Sequence, residues 1–559
     1  MLTWRRRGRG EKIAVVLCSL VAIVALMPLI SITVIALRGD WTVWPHLVRT
    51  VLIDSTRVTG LLMLGVGLTT AVIGLATAWL VTMHDFPGRR LFDWMLLLPL
   101  AVPTYVAAYT YVEILDYLGP VQSMIRSLFG FTSSRDYWFP EIRSLGGAIA
   151  LMSLVLYPYV YLAARASFLM QSASVLDVSR ALGRGPVATF WHVALPLARP
   201  SAVVGVTLAL MECLNDIGAM QFLGVRTLTV SVYATWTNRA NLGGAAQIAC
   251  AMLLVVFVLL VIERHGRRAQ RFHDHGTRAR PARILPLRGG KAALAALACA
   301  LPVFLGFVAP ALYLADAAIA ELPRTNLTAY ADFARNSFVL SVIAAFVAVV
   351  TAVTVTYAVR LTGSGTVRLA GRLAGIGYAV PGTVLAVGIL VPLAAFDNAV
   401  DGAMRTTFGI ATGLLLTGSG AALVYAYTTR FFAVSHGAIE AGLGRISPHL
   451  DMAARSLGRT PLATLREVHL PLMRPALATA GLLVFVDSMK ELPATLLLRP
   501  FNFETLATTV YSYASMEMVD KGALGALVIV GVGVVPVILL ARTSRTTRQV
   551  TAEGLAPAP

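Results

Sequence analysis

The chain alternates between apolar runs of roughly 20 residues or more and short polar breaks, the spacing of helices that cross a bilayer. Six apolar runs occupy 13–37, 58–83, 91–118, 147–171, 201–224 and 247–263. Six more occupy 292–314, 336–359, 373–396, 408–433, 476–499 and 522–541. Period-two alternation is absent, so helices rather than a closed barrel satisfy the backbone within lipid. The pattern predicts an all-α polytopic membrane protein of about twelve transmembrane helices. Between the sixth and seventh runs lies a basic segment containing Arg267, Arg268, Arg271, Arg278, Arg280, Arg283 and Arg288. The expected organisation is a first transmembrane half (1–263), a basic cytoplasmic linker (264–291), a second half (292–545) and a polar tail (546–559).

Two polar breaks are copies of one another. Asp177 to Pro200 reads D-V-S-R-A-L-G-R-G-P-V-A-T-F-W-H-V-A-L-P-L-A-R-P, and Met452 to Pro475 reads M-A-A-R-S-L-G-R-T-P-L-A-T-L-R-E-V-H-L-P-L-M-R-P. Gly183 maps to Gly458, Leu195-Pro196 to Leu470-Pro471 and Pro200 to Pro475, all at an offset of 275. Upstream, Trp79 maps to Tyr357 and Pro103 to Pro381 at an offset of 278. Internal repetition on this scale predicts two parallel six-helix repeats related by an axis along the membrane normal. Within each break, glycine permits a turn with φ > 0. Leu-Pro is expected to end a short helix, and Pro200 or Pro475 to open the next span. The result would be a helix–turn–helix knob on each half.

Composition narrows the class. With 57% hydrophobic and 13% charged residues and a mean hydropathy of +0.74, this is a membrane chain. The net charge of +18 sits in short loops, not on an aromatic-interleaved face, so nucleic acid is not an expected partner. The amino terminus with Arg5-Arg6-Arg7, the Arg89-Arg90 loop, both knobs, the linker and the tail with Arg542, Arg545 and Arg548 fall on one side. That side is expected to be cytoplasmic, with both termini there. The first run is too long for a signal-peptide core and reads as an uncleaved span. Cys18, Cys213, Cys250 and Cys299 are dispersed without C-x-x-C and read as small buried hydrophobes.

Both breaks resemble the coupling loop of ATP-binding-cassette importer permeases: E-A-A, three residues, Gly, nine residues, then Ile-x-Leu-Pro. Gly183 is followed after nine residues by Val193-Ala194-Leu195-Pro196, and Gly458 by Val468-His469-Leu470-Pro471. The glutamate position is Asp177 in the first copy and Met452 in the second, with Asp451 beside it. The resemblance implies a type I ABC importer permease fold. It assigns the ATPase-coupling loops to Asp177, Arg180, Gly183, Leu195 and Pro196, and to Asp451, Ala453, Ala454, Arg455, Gly458, Leu470 and Pro471. The stretches from Met211 and Met489 narrow the likeness to the fused iron(III) permeases of periplasmic ferric-binding systems. Fused thiamine permeases share the layout and give the alternative substrate. The resemblance implies a transport subunit rather than an enzyme, in the bacterial inner membrane and surrounded by its lipid. Its partners would be two copies of an ATPase subunit, which bind the ATP, and a periplasmic iron(III)-binding protein. No cofactor is expected on this chain, because Gly289-Gly290-Lys291-Ala292 is no phosphate-binding loop.

Ionisable residues inside apolar runs are costly and usually face a pathway. Glu212 and Asp216 in the fifth run match Asp487 and Glu491 in the eleventh, each pair spaced i, i+4 on one expected helical face. With Asn215 and Lys490 they form the candidate translocation path, and the four carboxylates are candidate transient ligands for iron, a hard trivalent ion. The structural alternative has Glu491 paired with Lys490 or a helix end, and Asp216 capping a helix near Gly218. Tyr105, Tyr109, Tyr111 and Tyr117 read as an interfacial belt, and His273 and His275 as solvated linker residues. A secondary transporter is the rival class. Asp85-Phe-Pro-Gly-Arg-Arg resembles a major facilitator loop, but Val81 stands where that motif has glycine.

Overall fold

The computed structural model describes residues 9–42, 44–171, 177–179, 181–270 and 284–553. Arg180, the first eight residues, and linker residues such as His273, His275 and Arg278 lie outside that set. The described chain is helical apart from one two-residue parallel pairing, His84 with Leu285 and Asp85 with Pro286. That pairing sets the end of the second apolar run beside the end of the linker.

Among the described residues nine helices are long and apolar enough to cross a membrane, or up to eleven if two sharply bent pairs each count as one. The difference between this count and the expected number of about twelve has identifiable reasons. The third run is broken: the segments Arg89–Ala101 and Thr104–Phe129 meet at 91°. Proline disfavours helix in the residue before it, and Val102 is extended ahead of Pro103. The matching Val380-Pro381 has the same backbone, with ψ 124° and 142° against 116° and 141°. The tenth run became the helix Ala421–Gly444, whose Arg430, His436 and Glu440 interrupt its apolar face.

The chain forms two compact units, and each draws on both halves of the sequence. One comprises Met1–Trp44, Val232–Cys250 and Asn326–Thr509; the other comprises Pro45–Ser231, Ala251–Thr325 and Val510–Pro559. In the first unit, Cys18 and Ala22 of the opening helix Arg9–Arg38 pack with Val355, Val367 and Phe432 from the second half. Tyr425 OH donates to Val24 O at 2.5 Å. In the second unit the core gathers Met83, Leu96, Tyr157, Tyr161 and Phe168 with Cys299 and Val537.

Lipid supplies no hydrophobic drive between helices, so close packing matters more there. A Cβ on Gly74 would come within 2.7 Å of Val160 Cβ, and one on Gly205 within 2.7 Å of Val160 Cα. Glycine lets these helices approach that closely. The four cysteines are free, three of them buried and Cys250 half-buried.

Candidate coupling loops and intramembrane carboxylates

Each repeat segment forms the expected knob, with its turn at glycine. Gly183 has φ +79° and Gly458 φ +75°. No atom would obstruct a side chain at either position, so backbone conformation alone demands glycine. In the second copy, Arg459 N–H donates to Ala454 O and Gly458 N–H to Arg455 O, both at 3.0 Å. This is the Schellman closure of the helix Pro448–Ser456. The first copy shows the matching outer bond, Arg184 N–H to Ser179 O at 3.2 Å.

The Leu-Pro pair does not end a helix as expected. A single π-helical turn, Phe190–Ala194 or Leu465–His469, leads straight into it. Leu195 N–H reaches Phe190 O and Leu470 N–H reaches Leu465 O, five residues back. The widened turn carries the chain into proline while both leucines stay helical. Beyond it the copies part. Pro186–Asn215 runs on as one 30-residue stretch with Pro200 inside the helix Leu195–Asn215. In the second copy the segments Pro461–Leu472 and Arg474–Met489 bend by 77°, and Pro475 stands in the first turn of the new helix as expected.

The anchors differ as well. The first copy is held by aromatic rings: Trp79 lies 5.4 Å from Phe168 and 5.2 Å from Phe190, centroid to centroid. Gln171 Nε2 also donates to Ala194 O at 3.0 Å. The second is held by charge. Arg360 Nη2 lies 2.7 Å from Asp451 Oδ2, and its guanidinium donates to Leu443 O and Ile446 O. Asp451 Oδ1 lies 2.8 Å from His469 Nε2, and Tyr357 OH donates to Pro461 O at 2.6 Å. Asp451 is thus turned into its own chain. Asp177 and Met452 are exposed, as are Ala453 and Arg455, while Ala454 is buried.

The membrane carboxylates separate into two kinds. The i, i+4 pairs do not share a helix, because the fifth run ends as helix at Asn215 and the eleventh at Met489. The second acid of each pair caps the short helix that follows. Asp216 Oδ1 accepts from Ala219 N–H at 2.8 Å, ahead of the helix Gly218–Phe222. Glu491 accepts from Ala494 N–H at 3.0 Å and Thr495 N–H at 3.1 Å, ahead of Pro493–Leu498. Glu491 also receives Arg430 Nη1 at 2.6 Å, both side chains being buried. An acid buried this deeply needs such compensation. Arg430 was not singled out from sequence, although an arginine in an apolar run is itself a signal.

The first acids are less enclosed. Glu212 is half-buried, and Asp487 lies 2.9 Å from Lys490 Nζ with both side chains part-exposed. Asn215, matched to Lys490, is buried. Among the described residues, no group of three or more His, Cys, Asp or Glu side chains is arranged to hold a metal ion. The tyrosine belt is also corrected. Tyr105, Tyr109 and Tyr111 are buried, with Tyr111 OH donating to Leu305 O and the Tyr109 ring packed on Phe222. Tyr117 alone behaves as a rim residue, under the Arg126 guanidinium.

Comparison with known proteins fits this geometry. Residues 70–271 match the family described as the binding-protein-dependent transport system inner membrane component. The chain is 26% identical over 490 residues to the Fe(3+)-transport system permease protein FbpB 2 of Haemophilus influenzae, covering 86% of this chain and 88% of that protein. It is also 26% identical to two Escherichia coli proteins. The molybdenum transport system permease protein ModB aligns over 35% of this chain and 86% of its own length, and the sulfate transport system permease protein CysT over 44% and 90%. These two relatives are each about the size of one half of the present chain. Through residues 70–271 the chain thus carries the inner membrane component of binding-protein-dependent transport systems, and it is a multi-pass ABC importer permease rather than an enzyme.

Proposed function

We propose that this permease carries iron(III) across the inner membrane by alternating access, as two fused halves worked by a pair of ATPase subunits. A periplasmic iron(III)-binding protein delivers the ion. The observation that carries the substrate is the likeness to an Fe(3+) permease across 86% of the chain. The two knobs engage the ATPases through their exposed helix ends, and both termini face the cytoplasm with the other basic loops. ATP stays on the partner subunits. Of the four membrane acids, Glu212 and Asp487 serve the path, while Asp216 and Glu491 hold the short helices that shape it. Oxygen donors suit a hard trivalent ion, and loose binding allows its release.

A second reading is an oxyanion substrate, which the molybdenum and sulfate permease relatives and the Lys490 ammonium beside Asp487 favour. Uptake of radiolabelled iron, molybdate and sulfate in a strain lacking the chromosomal copy separates the two. Iron uptake restored by the wild-type chain, and lost in the stably expressed Glu212→Gln/Asp487→Asn variant, is the expected result. Wild-type iron uptake by that double variant removes the acids from the path. Restoration of oxyanion uptake alone replaces iron as cargo.

A further inference from the structure

Within the unit that holds the opening helix, a cavity of about 860 Å³ lies among the helices Arg9–Arg38, Leu327–Thr362 and Ala421–Gly444. This volume falls in the ~300–1,000 Å³ range of sites that hold a small ligand. Its walls are apolar, with Val24, Ile343 and Val424 among them. It opens sideways, because Leu20, Val24, Val339 and Ile343 are each more than two-fifths exposed. Phe338 and Phe346, on the same helix, are exposed as well. These helices sit in a bilayer, so hydrocarbon and not water meets that opening.

One end of the groove is different. Arg335 and Asn336 stand at its rim, where Asn336 Nδ2 donates to Glu504 O at 3.0 Å and so fixes the loop that presents Phe503. The Arg335 guanidinium lies 3.3 Å from Asp332, with both side chains more than three-fifths exposed. An exposed pair of this kind contributes little, which leaves the guanidinium able to engage a stronger anion. From Arg335 to Thr351 the groove follows 16 residues of helix, about 24 Å at ~1.5 Å per residue. One leaflet with its headgroups is about 20–22 Å deep. A cation at the rim, apolar walls and a length of one leaflet together describe a phospholipid.

We propose that this groove is a phospholipid site, with an acyl chain between the three helices and the phosphate on Arg335. On the orientation given above the lipid belongs to the outer leaflet; binding itself does not depend on that orientation. The test uses the full chain purified in mild detergent, with bound lipid read by native mass spectrometry after adding phosphatidylglycerol or diacylglycerol. Wild type should retain phosphatidylglycerol, and Arg335→Ala should reduce retention about tenfold through loss of a charge-assisted contact. Val424→Trp, which fills the groove, should reduce it similarly, while Arg335→Lys should keep most of it. Diacylglycerol, which has the chains without the phosphate, should not be retained. Wild-type retention in either Arg335→Ala or Val424→Trp, or equal retention of diacylglycerol, overturns the proposal. Should a variant misfold, a phosphatidylglycerol with a photoreactive acyl chain decides the matter on wild type. Labelling within 20–25, 335–351 or 420–432 supports the site, and labelling confined to other segments overturns it.

Discussion

The two knobs share a sequence pattern, a positive-φ glycine and a π-helical turn, yet they are fastened by opposite chemistry. The first leans on Trp79, Phe168 and Phe190; the second is tied by Arg360, Asp451 and His469. The membrane interior repeats the contrast. Glu491 is both a helix cap and the partner of Arg430; Asp216 also caps its helix, but the position that matches Arg430 at the 275 offset is Val155. In turn, Asp93 and Arg165 form a two-bond ion pair at 2.7 and 2.8 Å, where the other half has Gly371 and Glu440. The two copies keep the glycine turn and the π-helical turn, while the contacts supporting them differ. Matched positions should therefore respond unequally to matched substitutions.

The widest gap is expected at the capping acids. Arg430→Met or Glu491→Gln leaves a buried charge without its partner, a loss of about 3–5 kcal/mol. Asp216→Asn keeps the capping bond, because asparagine caps a helix as well as aspartate does, and should cost less than that. Denaturant unfolding in detergent measures both, and equal losses at the two sites would erase the distinction. Next come the anchors. Trp79→Ala should cost about 2–4 kcal/mol from lost ring packing, with little change between low and high salt.

Asp451→Asn should cost about 1–2 kcal/mol, since its partly exposed carboxylate is paired with the Arg360 guanidinium. That loss should shrink as salt rises. A salt-independent Asp451→Asn, or a salt-sensitive Trp79→Ala, would reverse the assignment of anchors. The smallest effect should be shared: Gly183→Ala and Gly458→Ala each force a side chain into the left-handed region, for about 1 kcal/mol. Proteolysis rates across 177–200 and 452–475 should rise by similar factors in the two variants.

Much of this was legible in the sequence because it is local. Glycine at the turn constrains its own backbone, so Gly183 and Gly458 could be read directly. The structural alternative for the second acids also came from local pattern, since an acid three residues ahead of a free amide is a cap wherever it occurs. The helix breaks at Asp216 and after Met489 were not legible, because i, i+4 spacing in an apolar run looks the same whether or not the helix continues. Nor was the partner of Glu491, which lies 61 residues away. Apolar runs state that a helix will be buried and say nothing about which helix covers it. That is why the opening helix could not be assigned its neighbours.

The helix Arg9–Arg38 packs with helices that begin at Leu327 and later. At a translation rate of about 5–20 residues per second, it leaves the ribosome roughly 15–60 s before those partners exist. During that interval it must wait in the bilayer without those partners, exposed to chaperones, membrane proteases and stray oligomerisation. A stalled or truncated product ending before residue 327 would carry an orphaned first helix, and quality control should clear it rather than let it accumulate as an independent half.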